Sequence, residues 1–293
     1  MAARAPYRRI GIIGTGRVAA AIGLALVHQS GDPLHIWGHN PANSAALAAS
    51  IGRASAVTQL ADIGDGCDLI ILAVSDDALE PCIHQLAAVA GSAPAFAFHV
   101  SGRSGAGILA PLDAKGWGTA AVHPAMTFTG DPIAEAQQMI GARFAVTAST
   151  AQSVAKARAI VALLDGVPVE ISEAHRPLYH AALCHGANHL VTLIVGATEA
   201  LAAAGVDDPA ALLAPLARAA LANGLGKGMA GLSGPLLRGD AATIGGHLVA
   251  LRQDCPPLLS PYRAMASATL DALERAEGSS GSDACRSLLE TDE

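Results

Sequence analysis

Short apolar runs alternate with alanine-rich stretches through the first part of the chain. The runs predict seven strands, at Arg9 to Ile13, Leu34 to Trp37, Asp68 to Val74, Ala95 to Val100, Thr119 to Val122, Arg143 to Thr147 and Val167 to Ile171. Apolar positions at helical spacing predict crossover helices at Arg17 to His28, Asp76 to Val89 and Thr150 to Leu164. Alternating strands and helices form βαβ units, so we expect a mostly parallel sheet.

The pattern changes after Ser172, where strand signals stop and long helical runs follow. These runs predict helices at Glu173 to Ala204, Pro209 to Leu225, Asp240 to Arg252 and Pro261 to Ala276. The predicted fold class is α/β, with a Rossmann-type, mostly parallel sheet followed by an all-helical C-terminal domain. We expect a dinucleotide-binding domain over 1–172, a helical substrate and dimerisation domain over 173–276, and a disordered tail over 277–293.

One stretch of the first long helix, Leu190 to Val206, is apolar enough to suggest a membrane span. It contains Thr192, Thr198 and Glu199 and repeats its apolar positions at helical spacing. This pattern favours a buried helix, and we predict no membrane segment.

Composition narrows the possible functions. The 293 residues include 18 Lys and Arg against 25 Asp and Glu, so the formal net charge of -7 argues against binding nucleic acid through its phosphates. Aromatic residues make up only 3%, which also leaves few platforms for stacking bases. The five cysteines are widely spaced and form no C-x-x-C pair, so they indicate reduced thiols and a cytoplasmic location.

A glycine-rich turn follows the first predicted strand and opens the first predicted helix. Its sequence, Gly14-Thr15-Gly16-Arg17-Val18-Ala19, has the G-x-G-x-x-A spacing of a dinucleotide site. Gly14 permits the tight turn, Gly16 lets a diphosphate approach the backbone, and the helix N-terminus supplies free amides. We therefore predict that residues 14–18 bind the cofactor.

The end of the second predicted strand indicates which cofactor binds. An NAD site places a carboxylate there for the ribose hydroxyl, but the sequence is Trp37-Gly38-His39-Asn40-Pro41, and Asp32 precedes the strand. His39, Asn40 and Ser44 can donate to a 2'-phosphate, and Arg17 or Arg53 can add positive charge, so NADP is favoured over NAD. The alternative is that His39 and Asn40 only form a turn before Pro41.

Ligands of open parallel sheets bind beyond the carboxyl ends of the strands, so residues that follow strands are candidates for chemistry. Val74 and Ser75 are predicted to face the nicotinamide half of the cofactor, although Ser75 is equally suited to cap the next helix. Ser101 with Gly102, and His123, follow the next two strands and could orient a substrate and relay a proton.

The first long helix carries His180, Cys184 and Asn188 on one stripe, four residues apart. Such a stripe either packs polar groups against a neighbour or lines a substrate cleft. His185 and His189 form a second pair, but two histidines without a third ligand do not make a metal site, and none is predicted.

Four segments resemble a known family. They are His99-Val100-Ser101-Gly102, Ala121-Val122-His123-Pro124 with Thr127-Phe128, Tyr179-His180-Ala181-Ala182 leading to Asn188, and Ser233-Gly234-Pro235-Leu236-Leu237-Arg238-Gly239-Asp240 leading to His247-Leu248. Together they resemble the Rossmann-type oxidoreductases that carry a C-terminal domain of unknown function, relatives of pyrroline-5-carboxylate reductases and 3-hydroxyacid dehydrogenases. The resemblance implies a helical C-terminal domain that forms homodimers.

The chain departs from this family at one position. Related hydroxyacid dehydrogenases have a proton-donating Lys four residues before the helical Asn, where this chain has Cys184. A neutral thiol is a poor substitute for an ammonium group. An iminium substrate would need no such donor, and for other substrates His180 or His123 could supply the proton.

The sequence therefore predicts an NADP-dependent oxidoreductase that reduces a small carbonyl or imine compound. Ser101 and Asn188 are expected to orient the substrate, together with Gly102, Cys184 and a carboxylate-binding Arg238. Two alternatives remain at this point: a non-catalytic dinucleotide-binding sensor or assembly protein, and an enzyme that uses a deazaflavin instead of the nicotinamide.

Overall fold

The computed structural model describes residues 5–91, 93, 95–277 and 283–291. The described residues contain one eight-stranded sheet with the strand order β3-β2-β1-β4-β5-β6-β7-β8. Neighbouring strands are parallel except for β6 and β7, which are antiparallel. The strands are β1 (Ile10–Ile13), β2 (Leu34–Trp37), β3 (Ala54–Ala56), β4 (Leu69–Leu72), β5 (Phe96–His99), β6 (Gly118–Pro124), β7 (Arg143–Thr147) and β8 (Val167–Glu170).

Thirteen α-helices lie within the described ranges. Seven connect the strands: α1 (Arg17–Leu26), α2 (Pro41–Ile51), α3 (Ala61–Gly64), α4 (Asp76–Ala88), α5 (Ala110–Asp113), α6 (Pro132–Gln138) and α7 (Ala151–Leu163). Six follow the sheet: α8 (Arg176–Ala203), α9 (Pro209–Lys227), α10 (Pro235–Arg238), α11 (Ala241–Asp254), α12 (Pro256–Glu277) and α13 (Asp283–Glu290). This order confirms the predicted fold class.

Both faces of the sheet are covered, which explains the unbroken apolar runs of its central strands. In β1, Ile10 and Ile12 join one core and Ile13 joins the other. In β4, residues 69 and 71 likewise point to the first core, and 70 and 72 to the second. Successive side chains of a strand point to opposite faces, so a strand between two helical layers must be apolar throughout.

The structure contains five sheet-domain elements that the hydrophobic pattern did not predict: β3, α2, α3, α5 and α6. Strand β3 is a short edge strand of Ala, Ser and Ala, residues that carry little strand signal. Helix α2 begins with Pro41 after an Asn40 cap, where the sequence analysis left open a simple turn. Helix α6 is similarly short and starts at Pro132 after an Asp131 cap. Caps and proline marked both helices more clearly than apolar periodicity did.

The chain divides into two compact units, residues 1–184 and 185–293. The first unit contains the sheet and the first residues of α8. The second unit has a separate core, in which Ile244 and Leu248 of α11 pack with Ala266 and Leu270 of α12.

The expectation of a disordered tail is wrong for residues 283–290. They form α13, whose Cys285 and Leu289 join the core of the second unit with exposed fractions of 0% and 5%. Arg286 of the same helix pairs with Asp271 at 2.7 Å. The glycine and serine run that suggested disorder falls mainly on residues 278–282, which lie outside the described residues, as do 292 and 293.

The expectation that the apolar part of α8 is buried is also wrong. Val191 is 64% exposed and Val195 is 48% exposed, and a window of this helix is long and apolar enough to cross a membrane by length and composition. A single helix of this kind is weak evidence for a membrane span. Its exposed apolar side chains nevertheless require an explanation.

The buried position of Leu289 makes the role of α13 testable. We expect Leu289→Ala to lower the free energy of unfolding of the second unit by about 2–5 kcal/mol, because it leaves a cavity in the core. Urea denaturation followed by circular dichroism measures this change. The matched control is Ser287→Ala, an exposed position on the same helix. Equal stability of the two variants would show that α13 does not belong to this core.

Candidate functional site

The glycine-rich turn has a backbone that only glycine tolerates at its first position. Gly14 has φ of 118°, and a Cβ atom there would lie 2.2 Å from the carbonyl oxygen of Ala73. Gly16 stands at the N-cap of α1, and no atom lies within 4 Å of the Cβ that a side chain would add. The turn therefore packs tightly against β4 at Gly14 and leaves open space in front of the helix at Gly16.

This open space belongs to a cavity of about 320 Å³, called here the glycine-turn cavity. It contains seven of the predicted cofactor residues: Gly14, Thr15, Gly16, His39, Asn40, Val74 and Ser75. Trp37, Gly38, Asn43, Ala73 and Ala78 complete its lining. The residues after β1, β2 and β4 thus meet at the carboxyl edge of the sheet, as the parallel topology requires.

Two other predicted cofactor residues are placed differently. Val18 is half-buried and packs against the sheet core, so only its backbone could serve a ligand. Arg17 is exposed, and its guanidinium donates to the carbonyl oxygen of Phe128 at 3.2 Å. Arg17 is therefore the cation at the start of α1 that could turn toward a bound phosphate.

Of the polar groups near the end of β2, some cap helix α2 and others face the glycine-turn cavity. The side-chain oxygen of Asn40 accepts from the amides of Ala42 and Asn43, at 2.9 and 3.4 Å, which fixes the start of α2. Its amide group keeps its donors for a ligand. His39 is exposed and lies edge-on against Trp37, with the ring centroids 5.1 Å apart.

Three charged or polar side chains considered for this site are engaged elsewhere. Asp32 pairs with Arg9 at 2.8 Å, so it is not the missing carboxylate of an NAD site. Arg53 donates to the carbonyl oxygen of Ser30 at 2.8 Å, which corrects the expectation that it adds charge near a 2'-phosphate. Ser44 is buried and donates to the carbonyl oxygen of Asn40 at 3.3 Å.

Ser75 is the N-cap residue of α4, but its hydroxyl accepts from no backbone amide of that helix. The capping role considered from the sequence is therefore not realised through this side chain. The exposed hydroxyl borders the glycine-turn cavity instead.

The loop after β5 is held by His99, which is fully buried. Its Nε2 lies 2.8 Å from the carbonyl oxygen of Gly105, and its Nδ1 accepts from the amide of Ser101 at 3.1 Å. The Ser101 hydroxyl in turn accepts from the amide of Ser104 at 3.2 Å. With both ring nitrogens engaged, His99 shapes the loop and has no free nitrogen for proton transfer.

His123 and His180, called here the histidine pair, face each other beside this loop. Their ring centroids are 6.2 Å apart at an interplanar angle of 87°. A Cβ atom at Gly102 would lie 2.9 Å from His123 Nε2 and 2.5 Å from His180 Cδ2. Only glycine lets the loop pass between the two imidazoles, so Gly102 belongs to the same site.

The three residues of the predicted stripe on α8 fall in two units. Cys184 Sγ lies 3.8 Å from His180 Nε2, and both side chains are half-buried in the first unit. Asn188 is exposed in the second unit, as is Arg238 at the end of α10. Their roles toward a substrate stay predictions.

Two residues that the sequence analysis did not assign complete the site. Tyr179 donates to or accepts from His123 Nδ1 through its hydroxyl, with 2.8 Å between the two atoms. Arg176 is fully buried at the start of α8 and donates to the carbonyl oxygen of Ala121 at 2.9 Å. The sequence did offer one signal for these two residues: a single Arg at the start of an apolar helix, three residues before a Tyr-His pair.

Burial and positive charge shift the titration of the histidines. The pKa of His123 is lowered to about 4, first by burial and then by the charge of Arg176 and by His180, while Asp76 opposes the shift. Burial also lowers the pKa of His99 to about 4. Both imidazoles are therefore neutral at physiological pH, and His123 can donate a hydrogen bond without carrying a charge.

No group of three or more His, Cys, Asp and Glu side chains suited to a metal ion occurs among the described residues. His185 and His189 contact each other, with 3.1 Å between their Nδ1 atoms. This pair lacks further protein ligands in the described ranges.

Two family models match the chain. Residues 2–124, up to the end of β6, match the Rossmann-like domain, and residues 142–269 match a domain of unknown function, DUF2520, which includes β7 and β8 and ends within α12. The class of protein is thus a Rossmann-like domain followed by a domain of unknown function, which confirms the resemblance noted in the sequence. No curated protein sequence matches the chain significantly.

Several solved structures share the fold over nearly the whole chain. A candidate NADP oxidoreductase from Bacteroides fragilis has a TM-score of 0.73 at 20% identity, over 89% of this chain and 97% of that one. A reductive aminase from Aspergillus terreus, solved with NADPH and ethyl-5-oxohexanoate, has a TM-score of 0.68 at 18% identity, over 96% and 98%. An imine reductase from Myxococcus stipitatus, solved with NADP+, has a TM-score of 0.66 at 16% identity, over 97% and 100%. At these identities the similarity shows a shared fold.

The lowered histidine pKa values predict how stability depends on pH. An unfolded chain takes up protons near pH 6.5, but the folded histidines do so only near pH 4. Stability is therefore full above about pH 6.5 and is lost as the pH falls toward 4, by at most about 1.4 kcal/mol per pH unit for each histidine.

Urea denaturation across this pH range measures the loss. In His99→Gln the pH dependence should become shallower, because one titrating group is gone. His28→Gln, which alters an exposed histidine, serves as the control and should keep the wild-type slope. An unchanged slope in His99→Gln would show that His99 does not contribute to the loss of stability at low pH.

Proposed function

We propose that this chain is an NADP-dependent oxidoreductase that reduces a small carbonyl or imine compound by hydride transfer. The observation that carries the proposal is the glycine-turn cavity, where Gly16 leaves the start of α1 open to a diphosphate. A helix N-terminus with free amides binds phosphate groups without further protein charge. The histidine pair, His123 near the end of β6 and His180 on α8, supplies groups that can exchange protons.

The cavity residues divide the work of holding the cofactor. Gly14, Thr15 and Gly16 would hold the diphosphate, and Val74 with Ser75 would border the nicotinamide half. A bound reduced nicotinamide would supply the hydride. The protein's own contribution is to orient the substrate through Ser101 and Gly102 and to provide a proton from the histidine pair.

NADP is favoured over NAD because the end of β2 carries donors and no acid. His39, Asn40 and Asn43 border the cavity there, and Arg17 lies at the start of α1. A 2'-phosphate needs donors and positive charge, whereas a ribose hydroxyl needs an acceptor. The solved NADPH and NADP+ complexes of similar fold support this preference, although a variant of the Myxococcus stipitatus enzyme was solved with NAD+.

The missing Lys restricts the chemistry but does not favour a non-catalytic sensor. Cys184 occupies its position, and His180 lies 3.8 Å from that thiol. His123 stands on the other side of Gly102. Two imidazoles can therefore take over proton donation, and a sensor would have no use for them.

The contrast between Gly14 and Gly16 provides a direct test of cofactor binding. Gly16→Ala meets no atom within 4 Å, so the variant should fold like the wild type. We expect it to weaken NADPH binding about tenfold or more, because the methyl group occupies the space of the diphosphate. Isothermal titration calorimetry measures the Kd, and thermal unfolding checks the fold.

Gly246→Ala is the matched control, since its added methyl group also meets no atom within 4 Å, on α11 in the second unit. Its NADPH affinity should equal that of the wild type. The same titration with NADH tests the preference: equal or tighter NADH binding would contradict the NADP assignment alone. Failure of both nucleotides to bind at millimolar concentration would contradict the whole proposal.

We also propose that the chain is a cytoplasmic homodimer that joins through its helical unit. Val191 on α8 is 64% exposed, and Leu212, Leu216 and Leu225 on α9 are 56%, 68% and 82% exposed. A monomer rarely keeps so much apolar surface in water, and burial against a second copy would remove it. The five free cysteines fit a reducing compartment.

The dimer proposal predicts a change in mass when these positions are charged. Leu216→Glu combined with Val191→Glu should shift the protein from dimer to monomer in sedimentation velocity, because buried carboxylates would oppose association. Ile140→Glu is the control: the position is 65% exposed but lies in the first unit, so the dimer should persist. A monomeric wild type, or its recovery with membranes, would overturn the proposal.

A further inference from the structure

The buried guanidinium of Arg176 carries a charge that no described carboxylate pairs with. Its exposed fraction is 0%. Nε donates to Thr147 Oγ1 at 2.8 Å, and Nη2 donates to the carbonyl oxygens of Ala121 at 2.9 Å and Ala145 at 3.1 Å. A weaker bond at 3.4 Å joins Nη1 to the carbonyl oxygen of Ser101. All four acceptors are neutral, and no carboxylate of the described residues forms an ion pair with the guanidinium.

The charge of Glu173, on the same segment, favours the charged form of Arg176, but its carboxylate oxygens bind elsewhere. Glu173 accepts from the amides of Ala106 and Gly107, at 2.8 and 3.2 Å. A buried charge without a counter-ion costs folding free energy, and such a cost is commonly retained where the charge has a function. The function should involve a group that becomes negative nearby.

Tyr179 is such a group. Its ring lies over the guanidinium, with 5.8 Å between Arg176 Cζ and the ring centroid. Burial raises the pKa of the Tyr179 phenol, and the charge of Arg176 opposes that shift. The phenol therefore keeps its proton at neutral pH, and the tyrosinate formed by losing it would face a cation.

The phenol is joined to the histidine pair. Its hydroxyl lies 2.8 Å from His123 Nδ1, and the two rings meet edge to face at 5.7 Å. His123 Nε2 has no hydrogen-bond partner among the described residues and borders Gly102. One nitrogen of His123 is thus tied to Tyr179 and the other is available to a ligand.

His180 is less suited than His123 to donate a proton to a ligand. Its Nε2 contacts Cys184 Sγ, and no phenol or carboxylate stands behind its ring among the described contacts. Of the two imidazoles, His123 alone is backed by a group that can replace a donated proton.

We propose that Tyr179 is the positioning residue of His123, holding Nε2 as a proton donor toward the substrate and replacing the proton that Nε2 gives away. The inference rests on the proposed reductase function. When the substrate's oxygen or nitrogen gains the electron pair of its double bond, the Nε2–H bond breaks and the proton passes to that atom. Nδ1 takes the phenol proton in the same step, so His123 stays neutral.

The product of this relay is a tyrosinate beside Arg176 and a His123 that carries its proton on Nδ1. The starting state returns when Nδ1 gives its proton back to the tyrosinate and Nε2 takes a proton from water. Four other groups face His123: Arg176, His180 and His99 disfavour its protonated form, and Asp76 favours it. Asp76 itself lies 3.5 Å from Arg103, which limits its effect. The surroundings therefore keep His123 from acting as an imidazolium, and the phenol is the remaining source of the proton.

The relay requires a defined tautomer, which can be measured without turnover. Long-range proton–nitrogen NMR on the histidine-labelled wild type at pH 7 should show His123 neutral, with its proton on Nε2 and an accepting Nδ1. A proton on Nδ1, or a charged ring, would overturn the proposal. This result is independent of cofactor and substrate.

Turnover provides the second readout. With NADPH and a keto acid, an aldehyde or a cyclic imine as substrates, Tyr179→Phe should lower kcat about 100-fold, with KM and NADPH affinity nearly unchanged. The chain offers a matched control in Tyr262, whose hydroxyl lies 2.8 Å from His247 Nδ1 in the second unit. Tyr262→Phe removes the same kind of hydrogen bond and should leave kcat unchanged.

A tyrosine analogue separates proton supply from a structural role. Replacing Tyr179 by 3,5-difluorotyrosine makes the phenol more acidic and should move the alkaline limb of the kcat profile to lower pH. An unmoved limb, or an unchanged kcat in Tyr179→Phe, would refute the relay. If no substrate is reduced at all, the proposed function fails, and the NMR tautomer alone decides whether Tyr179 positions His123.

Discussion

The interaction on which the site depends is the set of hydrogen bonds from one buried guanidinium to the carboxyl edge of the sheet. Arg176 reaches the loop after β5, the strand β6 and the strand β7 through carbonyl and hydroxyl oxygens. The planar guanidinium can bind several acceptors at fixed angles, which a lysine could not do. It therefore fixes the start of α8 against the sheet, and with it the positions of Tyr179 and His180.

The same guanidinium contributes to the electrostatics of the site. The burial of His99 and His123 and, after it, the charge of Arg176 lower the pKa of both imidazoles and keep them neutral, although the two have different tasks. His99 uses both nitrogens to hold its loop, whereas His123 uses one and leaves the other free. The two histidines therefore differ in their hydrogen bonds and not in their pKa: His99 has a structural role, and His123 has a nitrogen available for reaction.

Local sequence signals explain how much of the architecture could be predicted. The strands Leu34–Trp37 and Arg143–Thr147 were predicted to the residue, because their apolar runs end at clear loop signals. The glycine turn was also predictable, because a G-x-G-x-x-A motif between a predicted strand and a predicted helix is typical of a dinucleotide site. Short, weakly apolar elements such as Ala54–Ala56 gave no such signal, and their structure depends on their neighbours in the sheet.

The site itself was only partly predictable, because its decisive contacts join distant residues. Thr147 and Arg176 are 29 positions apart, and His123 and Tyr179 are 56 apart, so neither contact follows from local pattern. Sequence spacing did place His180 and Cys184 on one helix face, and the structure brings them together. It could not distinguish His99 from His123, since both lie near the carboxyl ends of adjacent strands and only the fold shows which ring nitrogens are already hydrogen-bonded.

The long helix α8 carries both the residues of the site and part of the exposed apolar surface. Its first turns carry Arg176, Tyr179 and His180 in the sheet-containing unit, and its later turns carry exposed apolar side chains in the helical unit. The two parts of the helix meet different requirements. The hydrogen bonds of the buried guanidinium hold the first turns against the sheet, and Tyr179 and His180 follow on those same turns, so their positions depend on that cation. The exposed apolar side chains of the later turns supply surface that the proposed association of two copies would bury.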